Sequence, residues 1–101
     1  MDKQTAGTII KQFGGNQFIA MTGAKNFVFC DVYMKFMLPK QAKDKINLIQ
    51  VSITVMDTYD VEYFYMNNRT YDKTLVAKSE NIYDDMLRGD FEAKTNLNTV
   101  L

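Results

Sequence analysis

Phe27-Val28-Phe29-Cys30-Asp31-Val32-Tyr33-Met34-Lys35-Phe36-Met37-Leu38 carries the clearest pattern in the chain. Val28, Cys30, Val32, Met34, Phe36 and Leu38 are all apolar, while Phe29, Asp31, Tyr33, Lys35 and Met37 between them are mixed. Alternation of period two puts successive side chains on opposite faces of a strand. The segment therefore predicts one long strand with one buried face. Pro39 ends it, because proline has no N–H to give to a ladder. Cys30 falls in the apolar set and is expected to be a buried, inert thiol, since no second Cys and no His stands by to activate it.

Upstream, Thr5 to Phe13 predicts a short helix, with Ile9, Ile10 and Phe13 at helical spacing and Gly14-Gly15 as its stop. Asn16 to Thr22 sets Phe18 and Ala20 against Ile19 and Met21 and predicts a strand. The turn Gly23-Ala24-Lys25-Asn26 would join it to the long strand as a hairpin. Downstream, Lys40 to Lys45 predicts a polar loop. Asn47 to Asp57 predicts a strand with Ile49, Val51, Ile53 and Val55 inward. Asp57 to Asp60 predicts a turn, Val61 to Met66 a strand, Asn67 to Thr70 a turn, and Thr74 to Lys78 a short edge strand. Asn81 is expected to N-cap a helix running to about Thr95, with Tyr83, Met86, Leu87 and Phe91 as its apolar stripe. Val100-Leu101 is expected to dock onto the sheet. Strands in short succession imply a meander. The expected fold is α+β: an antiparallel four- to five-stranded meander sheet, with N-terminal and C-terminal helices packed on one face, in one domain spanning residues 1–101.

Composition narrows the chemistry. There is no His and no Trp, and only one Cys and one Pro. A Ser-His-Asp triad, an imidazole metal site, an intrachain disulfide and a Cys-rich zinc site are all excluded. No glycine pattern matches a phosphate-binding loop. The expectation is a non-enzymatic chain with no catalytic residue, no metal and no cofactor. No uncharged stretch is long enough to span a membrane, and Met1-Asp2-Lys3-Gln4-Thr5 does not start a signal peptide, so a cytoplasmic location is expected.

The 12 basic and 12 acidic residues cancel, but not locally. Residues 1–50 hold seven Lys and three acids; residues 51–101 hold five basic and nine acidic residues, so the halves carry +4 and −4. Asp57, Asp60 and Glu62 cluster around one hairpin and Asp84 and Asp85 open the last helix, forming an acidic candidate surface for a basic partner. Phe29 and Tyr33, with Phe27 and Met37, would form an apolar patch on the open sheet face, suited to a protein partner or to a homodimer. Lys25, Lys35, Lys40, Lys43 and Lys45 form the opposite candidate: with strand aromatics, they would bind single-stranded nucleic acid. A weaker third reading takes Asp57, Asp60 and Glu62 as the cluster of a small metal-dependent enzyme.

The run Gly14-Gly15-Asn16-Gln17-Phe18-Ile19-Ala20-Met21-Thr22-Gly23-Ala24-Lys25-Asn26-Phe27 resembles a family of small proteins encoded by bacteriophages and other mobile elements of bacteria. Asp57 to Glu62 and Ile82 to Leu87 resemble that family's downstream segments. Thr95-Asn96-Leu97-Asn98-Thr99 departs from it, where Gly and Tyr would be expected. The resemblance implies a genomic setting rather than a reaction. The expected function is that of an accessory protein that binds a host protein and inhibits it, a CRISPR or other defence nuclease being the leading example. The alternative is an accessory protein that binds single-stranded nucleic acid.

Overall fold

The computed structural model describes residues 1–39 and 42–99. Lys40 and the closing Val100-Leu101 lie outside the described residues. The chain begins with helix α1, Lys3–Phe13. The Asp2 side chain accepts the Thr5 N–H at 2.7 Å and holds the first turn, which keeps the Asp2 carboxyl below its ordinary range. Ala6, Ile9 and Phe13 make the buried stripe. Gly14 sits at φ 132° and ends the helix, a conformation that a Cβ would strain.

A second helix α2, Gly15–Thr22, follows immediately. This corrects the expected strand over Asn16–Thr22. Phe18 and Thr22, four residues apart, are the positions that turn inward, a helical spacing that the alternation of Phe18, Ala20 and Ile19, Met21 concealed. The Thr22 hydroxyl donates to the Phe18 carbonyl at 2.8 Å. Gly23, left-handed at φ 71°, then closes the helix by donating to the Ile19 carbonyl.

The sheet has five strands in sequential order: β1 Lys25–Phe29, β2 Tyr33–Met37, β3 Leu48–Ile53, β4 Tyr59–Met66 and β5 Lys73–Ile82, every neighbour antiparallel. The expected long strand Phe27–Leu38 is therefore two strands folded on one another. Residues 30–32 form the hairpin tip, and the Cys30 N–H donates to the Tyr33 carbonyl at 2.9 Å. Folding the segment back exposes half of its apolar set. Met34, Phe36 and Leu38 are buried, but Val28, Cys30 and Val32 are exposed. Cys30 is thus a surface thiol, not a buried one. It is held below the ordinary thiol range, chiefly by the Val32 backbone N–H.

β3 stops at Ile53, so Val55 is not an inward position; it is fully exposed at 102%. The Thr54 and Thr58 hydroxyls share a 2.8 Å hydrogen bond across the turn that replaces the end of the expected strand. β4 begins at Tyr59, and β5 starts one residue before the expected Thr74–Lys78 and runs on past it to Ile82. Asn81 is not a helix cap. It lies inside β5 at φ 55°; its N–H donates to Asp60 at 3.0 Å and its side-chain oxygen accepts from Thr58. A short 3-10 turn, Asp84–Met86, leads instead into helix α3, Leu87–Thr95. Leu87 and Phe91 are buried in α3, whereas Tyr83 and Met86 are exposed.

The helices pack on one face of the sheet. The rings of Phe13, Phe18 and Phe91 surround Phe36 with centroids 5.6 to 6.4 Å from it. The register Phe36–Ile49–Tyr63–Ala77 and Met34–Val51–Val61–Ser79 carries this core across the sheet. Two polar anchors lock the layers. The Tyr59 hydroxyl donates to Gln12 of α1 at 2.8 Å. Asp90 of α3 accepts from Tyr63 at 2.6 Å and from Ser79 at 2.7 Å. Burial raises both tyrosine pKa values, Tyr63 the more, where the Asp90 carboxylate adds to the effect.

Candidate functional site

A meander sends alternate connections to opposite ends of the sheet. The residue types at those ends differ in kind. The β1–β2 tip, the β3–β4 turn and the passage from β5 into α3 lie together, because Tyr33 pairs with Ser52, Ser52 with Asp60, and Ile53 with Tyr59, which pairs with Ile82. Residues 30–32, 54–60 and 82–86 contain Asp31, Asp57, Asp60, Asp84 and Asp85 and no Lys or Arg. The opposite end gathers Lys25, Lys43, Lys45, Arg69 and Lys73 against Asp44 and Asp72. The two ends therefore differ in charge, although each draws on both halves of the chain: Asp31 comes from the basic half of the sequence, Arg69 and Lys73 from the acidic half.

The acidic end is also where apolar surface is left uncovered. Phe29, Val32, Ile53, Val55, Met56, Tyr83 and Met86 are there, seven of the eleven large apolar side chains exposed among the described residues. Met56 is 75% exposed and Tyr83 61%. At about 4.8 Å between strands, the rim from the β1–β2 tip to the β5 end is roughly 20 Å long. Asp57, at φ 60°, tops the β3–β4 turn. Asp84 accepts the Asp85 N–H at 2.9 Å, and both carboxylates face outward. Asp60 is half-buried and braces β5 through Asn81.

Of the residues read as an acidic or apolar docking surface, Asp57, Asp60, Asp84, Asp85, Phe29 and Tyr33 meet at this end. Glu62 stands one row farther into the sheet, opposite Gln50 and Lys78. Of the patch expected on the open face, Tyr33 and Met37 lie there, but Phe27 and Phe29 do not. Phe29 pairs with the buried Met34, and the Phe27 ring lies 5.2 Å from Phe36, so both belong to the helix-covered side. The hairpin causes this: residues paired across its tip have opposite parity but share a face. The open face holds Tyr33, with Lys35 5.8 Å from its ring, a polar row Lys35–Gln50–Glu62–Lys78, and Phe64 beneath Lys73 at 4.7 Å. Beside that row the same face carries the apolar row Met37–Leu48–Phe64–Leu75, in which Leu75 is exposed.

The lysines of the nucleic-acid reading disperse. Lys25 and Lys45 border one cleft at the basic end, Lys43 lies in the 3-10 turn Lys43–Lys45, and Lys35 stands in the middle of the open face. Lys40 is outside the described residues. Among the described residues no group of three or more His, Cys, Asp or Glu side chains is placed to hold a metal ion, and no helix is long and apolar enough to cross a membrane. The exposed Val55, Met56 and Tyr83 were missed as candidates because alternation assigned Val55 to the core and helical spacing assigned Tyr83 to a stripe. Comparison with protein-family models, curated proteins and solved structures finds no match in any of the three.

Proposed function

We propose that the chain acts by binding another protein through the acidic, apolar end of its sheet. The observation behind this is the concentration there of exposed Val55, Met56, Tyr83 and Met86 among Asp57, Asp84 and Asp85, with no cation in those segments. Exposed aromatic and Met side chains supply the area that a protein interface desolvates, and like-signed charge around them steers a partner of opposite sign. The partner is a protein with a basic surface. Given the resemblance to bacteriophage and mobile-element proteins, the reading is an accessory inhibitor of a host protein. A CRISPR or other defence nuclease fits it, because a channel that holds nucleic acid is basic.

The experiment is affinity capture from a bacterial lysate with the native chain and with the Val55→Asp/Met56→Asp double variant. The positions are so exposed that the substitution leaves stability within about 0.5 kcal/mol. The native chain is expected to retain a basic protein that the variant does not, and to inhibit it in a purified assay. Equal retention by both contradicts the proposal. The nucleic-acid reading has the basic end in its favour; against it, Phe27 and Phe29 lie on the other side of the sheet from Lys35, and Phe64 is buried. Its check is a salt titration of single-stranded DNA binding.

A further inference from the structure

The basic end contains a cleft of about 540 Å³, within the range of small-molecule sites. It opens between the start of β1, the end of β2 and the turn into β3. Its floor is apolar, made by Met37, Leu38 and Ile46 among others. Its rim carries Lys25 and Lys45, with Tyr65 and Asn68 beside them. None of the described lining residues is Asp or Glu, in a chain that has as many acids as bases. The one ion pair among the described residues joins Lys78 to Glu80, so neither rim lysine is in salt-bridge contact with a described carboxylate. One wall is fixed: the Asn47 side chain donates to the Met66 carbonyl at 2.9 Å and accepts the Met66 N–H at 2.7 Å. Asn47 is therefore committed to the scaffold, and Asn68 and Tyr65 are left to meet a ligand.

Two ammonium groups without a carboxylate between them select an anion with more than one acceptor oxygen, as phosphate has. An apolar floor beside an aromatic ring selects a flat, weakly polar group, and a carboxamide reads donor and acceptor edges. We propose that this cleft binds a small phosphorylated molecule with a planar ring, of the nucleoside monophosphate class. Its phosphate meets Lys25 and Lys45, and its ring lies on the apolar floor against Tyr65. The site is at the opposite end from the docking rim, and it stands or falls independently of the partner.

The test is a titration of the isotopically labelled chain followed by NMR, with adenosine 5′-monophosphate, adenosine, inorganic phosphate and a thymidine hexanucleotide as separate probes. The monophosphate is expected to shift the amides of Lys25, Lys45 and Asn68 saturably, with half-saturation below about 1 mM. Adenosine and phosphate alone should each bind about tenfold more weakly or worse. Lys25→Ala/Lys45→Ala should weaken the monophosphate about tenfold with the remaining spectrum unchanged, while Lys35→Ala/Lys78→Ala, on the open face, should leave binding intact. Absence of saturation by the monophosphate, equal binding of phosphate alone, or indifference to the Lys25/Lys45 substitution overturns the assignment. So does much tighter binding of the hexanucleotide through the same amides, which would make the cleft a strand-binding site.

Discussion

Tyr63 is fully buried, and its hydroxyl donates to Asp90 at 2.6 Å; the same carboxylate accepts from Ser79. Removing the hydroxyl strips a charge-bound acceptor of one partner. Tyr63→Phe is expected to cost about 1–3 kcal/mol at neutral pH, read by urea denaturation. The pH dependence has a definite sign. Folding raises the Tyr63 pKa, so its contribution is complete below the unfolded tyrosine value, near 10, and is lost as pH rises above that value. Stability should fall above about pH 10 in the native chain and fall less steeply in Tyr63→Phe. A parallel pH profile in both proteins would contradict this. Cys30 gives a second check at the same scale. It is exposed at the β1–β2 tip and its thiol is held below the ordinary range, so a thiol reagent should label it completely in the folded protein. Labelling only on unfolding would restore the buried reading. The sequence pointed the wrong way at Cys30 for a physical reason: alternation marks which side a residue is on, but not whether the strand folds back before reaching it.

At the scale of elements, the strands with a covered face were legible and the others were not. β3 and β4 alternate because one face meets the helices: Ile49, Val51, Val61 and Tyr63 are buried, while Gln50, Ser52, Asp60 and Glu62 are at least partly solvated. β5 is an edge strand. Lys73, Thr74, Lys78 and Glu80 blunt it, so little hydrophobic pattern is left to read and only its first half, Thr74–Lys78, is predicted. α2 was misread because eight residues give barely two turns, and Phe18-Ile19-Ala20-Met21 is apolar all round. Its helical state depends on Gly14 and on Phe18, whose ring stacks on Phe13 at 5.2 Å. Two substitutions test the element. Phe18→Ala should cost about 3–5 kcal/mol. Gly14→Ala should cost of order 1–3 kcal/mol, since φ 132° is closed to alanine and the new Cβ would stand 3.0 Å from that of Phe18. A strand over Asn16–Thr22 would predict little cost at Gly14. Chemical denaturation of the two variants separates these outcomes.

At the scale of the whole molecule, the strand register gives the sheet two unlike ends. Its connections alternate between two ends, and the acids and the uncovered apolar side chains fall at one end while Lys25, Lys43, Lys45 and Arg69 fall at the other. The charge halves of the sequence do not map onto these ends, since Asp31 of the first half lies at the acidic end and Arg69 and Lys73 of the second half at the basic one; only the strand register decides the grouping. The candidate acids are therefore legible as residues, and so is Phe29, whereas the exposed Val55, Met56, Tyr83 and Met86 of the rim are not. The central claim is that the acidic end is the docking surface. It is tested most directly by matched charge reversals in one capture experiment: Asp57→Lys/Asp84→Lys/Asp85→Lys at one end, Lys25→Glu/Lys43→Glu/Lys45→Glu at the other. Each set alters three exposed side chains, and because Asp57 and Lys45 sit at positive φ, circular dichroism of both variants accompanies the capture to establish that each is folded. The account predicts that the partner retained by the native chain is lost from the first variant and kept by the second. Retention by the first variant, or loss from the second alone, would contradict it.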